Sequence, residues 1–145
     1  MNAPTDLARL IIAFQHALAG RPQGRLTPRI ARSMMERQTG SIPEGRCLDS
    51  SITGEYACRS SWGLGFDVNL NRYLEHQPDS KPTGDYFGHT GFNSGYLTVL
   101  IASKEGGNGL VIMANSAPED MSADVPQFSF MTRLVRQIAD EEGWK

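Results

Sequence analysis

The chain is poor in net charge and in long hydrophobic runs, and each shortage argues against a class of protein. Its 14 basic and 16 acidic side chains leave a net charge of −2, so no long-range positive field is available to hold a nucleic acid backbone. The longest apolar stretches, Leu10–Phe14 and Leu97–Ala102, are far shorter than the ~20 residues of a membrane-spanning helix. Met1 to Arg9 carries no secretory signal, which leaves the compartment undetermined. We therefore expect neither a nucleic acid partner nor a membrane span.

Cysteine and histidine are also scarce, which argues against a metal centre. The two cysteines, Cys47 and Cys58, can close a small loop or stay unpaired, and both alternatives remain open. The three histidines, His16, His76 and His89, show no metal-like spacing, and a pair of cysteines lacks the other two ligands of a zinc site. We expect no metal and no organic cofactor.

The length and composition are those of an ordinary globular domain. A chain of 145 residues is long enough for one hydrophobic core, and its 39% apolar content is typical of folded proteins. Residues 1–145 are therefore interpreted as a single domain.

Helical patterns occur near both ends of the chain. Apolar residues recur at helical spacing over Thr5–Ala19, and Thr5 offers an N-cap oxygen. The Thr27-Pro28 pair then predicts the start of a second helix, which continues toward Gln38. A third amphipathic helix is predicted from about Pro126 to Glu142.

Between these helices the pattern changes to one typical of strands. Period-two or short apolar segments cover Trp62–Leu70, Tyr86–Gly91, Tyr96–Ser103 and Gly109–Asn115. The last three are separated by short, glycine-containing connections of hairpin length. The sequence thus predicts an α+β fold in which an antiparallel sheet of about four strands is flanked by N-terminal and C-terminal helices.

One segment combines polar side chains with glycines at the end of a predicted strand. Gly91 would let a ligand approach the backbone, which would leave the N–H of Phe92 free to point at a developing oxyanion. His89 and Thr90 can hydrogen-bond a substrate carboxylate or the proton network of a neighbouring nucleophile. The alternative is that the glycines of this segment only serve the following turn.

Six motifs follow one another along the chain: the helix at Thr5–Leu10, Arg25-Leu26-Thr27-Pro28, Trp62-Gly63-Leu64-Gly65-Phe66, Gly88-His89-Thr90-Gly91, the strand Gly109–Asn115 and the closing helix. In this order they resemble the serine beta-lactamase-like hydrolases, a family of class C beta-lactamases, DD-peptidases, D-aminopeptidases and related esterases. The resemblance spans most of the chain and implies the C-terminal part of a beta-lactamase/transpeptidase-like fold.

The resemblance assigns roles to four residues. His89-Thr90-Gly91 matches the family's third catalytic motif, Lys/His-Thr/Ser-Gly, on a strand that lines the active site. By resemblance, His89 and Thr90 bind substrate and organise protons, and the N–H of Phe92 is one of two oxyanion-hole donors. The implied substrate is a small acyl compound: an ester, an amide or a β-lactam.

The chain departs from the family where the nucleophile should be. No serine is followed three residues later by lysine, and no tyrosine by asparagine two residues later, so SxxK and Tyr-x-Asn are both absent. No catalytic residue can therefore be named in this chain. We expect a C-terminal segment of such a hydrolase that is inactive alone and that self-associates or binds a complementing N-terminal chain. The alternatives are a non-catalytic binding module and one chain of a split enzyme.

Overall fold

The computed structural model describes residues 3–38, 62–70, 85–93, 95–115 and 126–144, and within them the chain has an α+β fold. Three helices accompany one antiparallel sheet of three strands, which confirms the predicted fold class at this level. Cys47 and Cys58, for which pairing was left open, lie outside the described residues. The elements are α1 (Pro4–Leu18), α2 (Pro28–Met35), β1 (Tyr86–Asn93), β2 (Tyr96–Ser103), β3 (Gly109–Ala114) and α3 (Pro126–Glu141).

Of the two predicted helix caps, the structure confirms one and contradicts the other. Thr27 caps α2, since its Oγ1 accepts the N–H of Ile30 at 3.3 Å, as predicted. The prediction of Thr5 as the cap of α1 is wrong: the N-cap is Ala3, and Pro4 already occupies the first turn. The Asp6 carboxylate accepts the N–H of Ala3 at 3.4 Å, and the N-cap residue has no side-chain hydrogen bond of its own. None of the described helices is long and apolar enough to cross a membrane.

The sheet has the order β1-β2-β3, and the fourth strand predicted over Trp62–Leu70 is not confirmed. That segment turns back on itself at Gly65, whose φ of 84° favours glycine, and Gly63 donates to the carbonyl of Phe66 at 2.8 Å. Only its last part lies beside β1. There, Asp67 and Gly88 exchange two backbone hydrogen bonds of 2.9 Å.

Each face of the sheet has its own core. On the face covered by α1 and α2, which we call the α1 face, the ring of Phe66 packs edge-on against Phe14 at 4.8 Å and Phe87 at 5.4 Å between centroids. On the opposite face, which we call the α3 face, Val99 and Ile101 pack with Met131 and Val135 of α3. Strand side chains alternate between these two cores, so both faces are apolar.

The two ends of the sheet differ on the α1 face. At what we call the closed end, Phe87, Ala102 and Gly109 lie side by side on the three strands beneath α1. At what we call the open end, Gly91, Thr98 and Met113 lie side by side, and Tyr96 lies beyond them. Tyr96 is 61% exposed and Met113 40% exposed, so α1 and α2 leave the open end uncovered.

Hydrogen bonds and an ion pair of polar side chains connect the elements at the closed end. Gln15 of α1 is buried, and its Nε2 donates to the carbonyls of Ser103 at 2.9 Å and Asn108 at 2.7 Å. Lys104 donates to the carbonyl of Val68 at 2.8 Å and forms an ion pair with Asp85 at 2.9 Å. The helix, the hairpin turn and the segment beside β1 are thereby joined at this end.

Candidate functional site

The backbone of β1 directs alternate residues toward opposite sides of the strand. Gly88 exchanges both of its hydrogen bonds with Asp67, so its N–H and C=O point away from β2. In an antiparallel strand this direction repeats every second residue, so the N–H groups of Thr90 and Phe92 also point outward. Among the described residues neither N–H has a partner. The N–H of Phe92, predicted as an oxyanion donor, therefore lies on an open strand edge.

The imidazole of His89 lies next to this edge on the α1 face and is exposed. Its Nδ1 donates to the carbonyl of Thr90 at 2.5 Å, because a carbonyl oxygen can only accept. Nε2 has no hydrogen bond within the described part of the chain. The ring of Trp62 packs edge-on against the imidazole at 5.2 Å between centroids. The strand thus carries an exposed imidazole and two outward backbone donors.

The structure brings together some of the predicted site residues and separates others. His89 and Gly91 share the α1 face, whereas the Thr90 side chain points to the α3 face because consecutive strand residues alternate. Thr90 is half-buried there. Phe92 contributes to the outer edge through its backbone. The edge and the α1 face thus combine His89, Gly91 and the Phe92 amide, and the Thr90 hydroxyl is on the other side of the sheet.

The structure explains glycine at two of the three glycine positions of this segment. A Cβ on Gly88 would lie 2.0 Å from the carbonyl oxygen of Leu100, so the packing of the sheet requires glycine there. Gly95 has a φ of 82° in the β1–β2 turn and serves the turn itself. A Cβ on Gly91 would meet only Thr98, at an ordinary 3.6 Å, and Gly91 has no positive φ. Neither the turn nor the packing of the described residues explains glycine at position 91.

Trp62 is a member of the site that sequence reasoning did not single out. It was predicted to begin a strand, and it reaches His89 because the chain folds back at Gly65 and pairs Trp62 with Asp67. Asp67 in turn pairs with Gly88, the neighbour of His89. No spacing in the sequence signals such a contact, although aromatic residues on both sides of the Gly-Leu-Gly run were a usable hint.

Neither Ser33 nor Ser103 supplies the site with a nucleophile in the part of the chain that the structure describes. Ser33 lies on α2, and Ser103 is buried at the closed end, where its Oγ accepts the N–H of Glu105 at 3.2 Å. Neither hydrogen-bonds to His89. The described residues also contain no cluster of three or more side chains that could hold a metal ion.

No protein-family model, curated protein or solved structure matches this chain. The function must therefore be argued from the residues and the geometry of the chain itself.

Proposed function

We propose that this chain is the C-terminal segment of a beta-lactamase-like serine hydrolase and supplies one wall of its acyl-transfer site. The observation that carries the proposal is the outward N–H of Phe92, three residues along β1 from the exposed ring of His89. Gly91, between them, is a glycine that the packing of the described residues does not explain. A peptide donor without a partner among the described residues, next to a position without a side chain, suits the close approach of a carbonyl group.

The reaction needs residues of this chain together with a second, completing segment that carries the serine nucleophile and its base. A serine of the completing segment attacks the carbonyl carbon of an ester, amide or β-lactam, and a base on that segment takes the hydroxyl proton. The Phe92 N–H donates to the oxygen that becomes negative, and one such donor contributes about 10²- to 10³-fold to the rate. The leaving group departs with a proton as the acyl-serine forms, and water then hydrolyses this ester. His89 accepts a hydrogen bond at Nε2 and orders the proton network.

The chain alone should be unreactive, because it contains neither SxxK nor Tyr-x-Asn. We expect no covalent labelling of the purified chain by a fluorophosphonate and no turnover of a chromogenic ester or cephalosporin. Labelling or turnover that disappears in Ser33→Ala, or in another single serine variant, would contradict the proposal.

The binding wall can be tested without a nucleophile. Benzylpenicillin titrated into ¹⁵N-labelled protein should shift the amide signals of Thr90 and Phe92 and the ring signals of His89. Gly91→Ala should abolish these shifts without unfolding the protein, because its Cβ has room inside the sheet. Ser33→Ala, a matched removal of a small polar group on α2, should leave them unchanged. If benzylpenicillin caused no shifts in the parent protein, or the same shifts in Gly91→Ala, the proposal that this edge of β1 binds an acyl compound would be refuted.

A second candidate function is a non-catalytic binding module. Exposed aromatic and apolar side chains at or near the open end, Trp62, Tyr96 and Met113, favour it, because such clusters mark interaction surfaces. A split enzyme predicts a neighbouring reading frame that encodes SxxK and Tyr-x-Asn, and co-expression of the two chains should then produce fluorophosphonate labelling. A binding module predicts no such frame and no activity in any combination.

A further inference from the structure

Strand β3 ends the described sheet, and both of its faces are apolar. Leu110, Ile112 and Ala114 pack against the core of the α3 face, and Val111 packs against the core of the α1 face. The two cores account for the apolar side chains on both faces, whereas the outer edge of the strand is a separate question of backbone hydrogen bonding. Among the described residues, however, only β2 pairs with β3.

The outer edge of β3 carries a regular row of backbone groups. Ser103 donates to the carbonyl of Asn108 at 3.0 Å, so Asn108 and every second residue after it point toward β2. Gly109, Val111 and Met113 therefore direct their N–H and C=O groups outward. In the described part of the chain these groups have no hydrogen-bond partner. Their chemistry fits an extended strand, which would supply matching donors and acceptors.

This edge lacks the features by which edge strands commonly avoid pairing. Such strands are protected by charged residues, proline or a bulge, and the sequence of β3, Gly-Leu-Val-Ile-Met-Ala, contains neither a charge nor a proline. Its pairing with β2 is continuous from Gly109 to Ala114, without a bulge. By contrast, the outer edge of β1 is partly covered by the segment around Asp67.

We propose that the outer edge of β3 pairs antiparallel with β3 of a second copy of this chain. A two-fold axis at Val111 places Val111 opposite its own copy and Gly109 opposite Met113, so the long side chain meets the smallest residue. In this register the residues whose N–H and C=O groups point outward in one copy lie opposite those of the other copy. No like charges oppose each other along the strand, and the net charge of −2 gives little repulsion between copies.

Helix α1 adds an apolar side chain to the same interface. The helix lies mainly over β3, and its Phe14 side chain points toward the aromatic rings near β1. Ile12 is two residues away, or about 200° around the helix, and so lies on the side of α1 turned away from Phe14. Ile12 is 48% exposed. In the paired arrangement the Ile12 side chains of the two copies lie above the joined strands and lose exposed area.

The mass in solution tests this pairing. Sedimentation equilibrium of the full chain should give about twice the 15.9 kDa chain mass at high concentration. Met113→Lys puts a charge on the exposed part of the edge and should return the mass to that of one chain. Ile30→Lys places the same charge on the exposed face of α2 and should leave the dimer intact. Far-UV circular dichroism should show that both variants remain folded.

Hydrogen exchange of the β3 amides provides a second measurement that does not depend on a variant. The amides of Gly109, Val111 and Met113 should exchange slowly in the concentrated dimer and fast on dilution. A mass of one chain at all concentrations would overturn the proposal, whether these amides exchange fast or are protected within the chain. A dimer that survives Met113→Lys with fast-exchanging β3 amides would overturn it as well.

Discussion

The closed and open ends of the sheet are built from the same three strands, yet they meet their surroundings in different ways. At the closed end, Phe87 and Ala102 are fully buried beneath α1, and Gln15 and Lys104 bind the carbonyl groups around the hairpin turn. At the open end, the same face carries an exposed histidine and exposed apolar side chains, and strand amides remain unpaired among the described residues. The difference indicates that the closed end holds the fold together and that the open end is available for binding.

The largest expected difference between the ends concerns aromatic side chains on the same face of β1. Phe87→Ala removes a fully buried ring and should lower the free energy of unfolding by about 3–5 kcal/mol. His89→Ala, two residues along the strand, should change it by less than about 0.5 kcal/mol because the imidazole is exposed. Urea unfolding followed by circular dichroism measures both. Equal losses would remove the distinction between the two ends.

The two glycines of the Gly88-His89-Thr90-Gly91 run should respond differently to substitution by alanine. Gly88→Ala places a Cβ 2.0 Å from the carbonyl oxygen of Leu100 and should cost about 1–3 kcal/mol of stability, since a backbone atom cannot easily give way. Gly91→Ala should be neutral or slightly stabilising, because its Cβ has room and alanine loses less entropy on folding. Thermal unfolding of both variants provides the check. A large loss in Gly91→Ala would show that position 91 is glycine for structural reasons after all.

An effect of similar size is expected for the polar contacts of the closed end. Gln15→Ala leaves the carbonyls of Ser103 and Asn108 without their donor and should cost about 1–3 kcal/mol. Gln137→Ala is the matched control, because its amide donates to the exposed Glu141 on α3, and it should cost less than about 0.5 kcal/mol. Chemical unfolding measures the two losses. If the control and the buried variant behaved alike, these polar contacts would have no energetic role.

Local sequence signals predicted much of the fold correctly. Thr27-Pro28 identified the start of α2, and the apolar and period-two patterns identified three strands that the structure contains, with limits close to those observed. The strand over Trp62–Leu70 was not confirmed, because alternating apolar residues do not reveal that the chain turns back at Gly65. Thr5 failed as a cap because Pro4 allows the helix to begin earlier.

The candidate site was predictable in part. The sequence identified His89, Gly91 and the Phe92 amide, which the structure gathers at one edge and face of β1. It also grouped Thr90 with them, although the alternation of side chains along a strand sends the Thr90 hydroxyl to the other face. The contact between Trp62 and His89 depends on a long-range pairing that no local pattern encodes.

The sequence by itself determined that this chain is an α+β protein with helices at both ends and that it lacks SxxK, because composition, periodicity and motifs are properties of the chain order. Only the tertiary structure decided which strand edges stay open and which glycine is structural. Those properties depend on which segments lie next to one another, as when Asp67 pairs with Gly88 while the amides of Thr90 and Phe92 have no partner among the described residues. Hydrogen bonding across a sheet joins residues that are distant in sequence, and the sequence pattern of one strand does not specify which strand lies next to it.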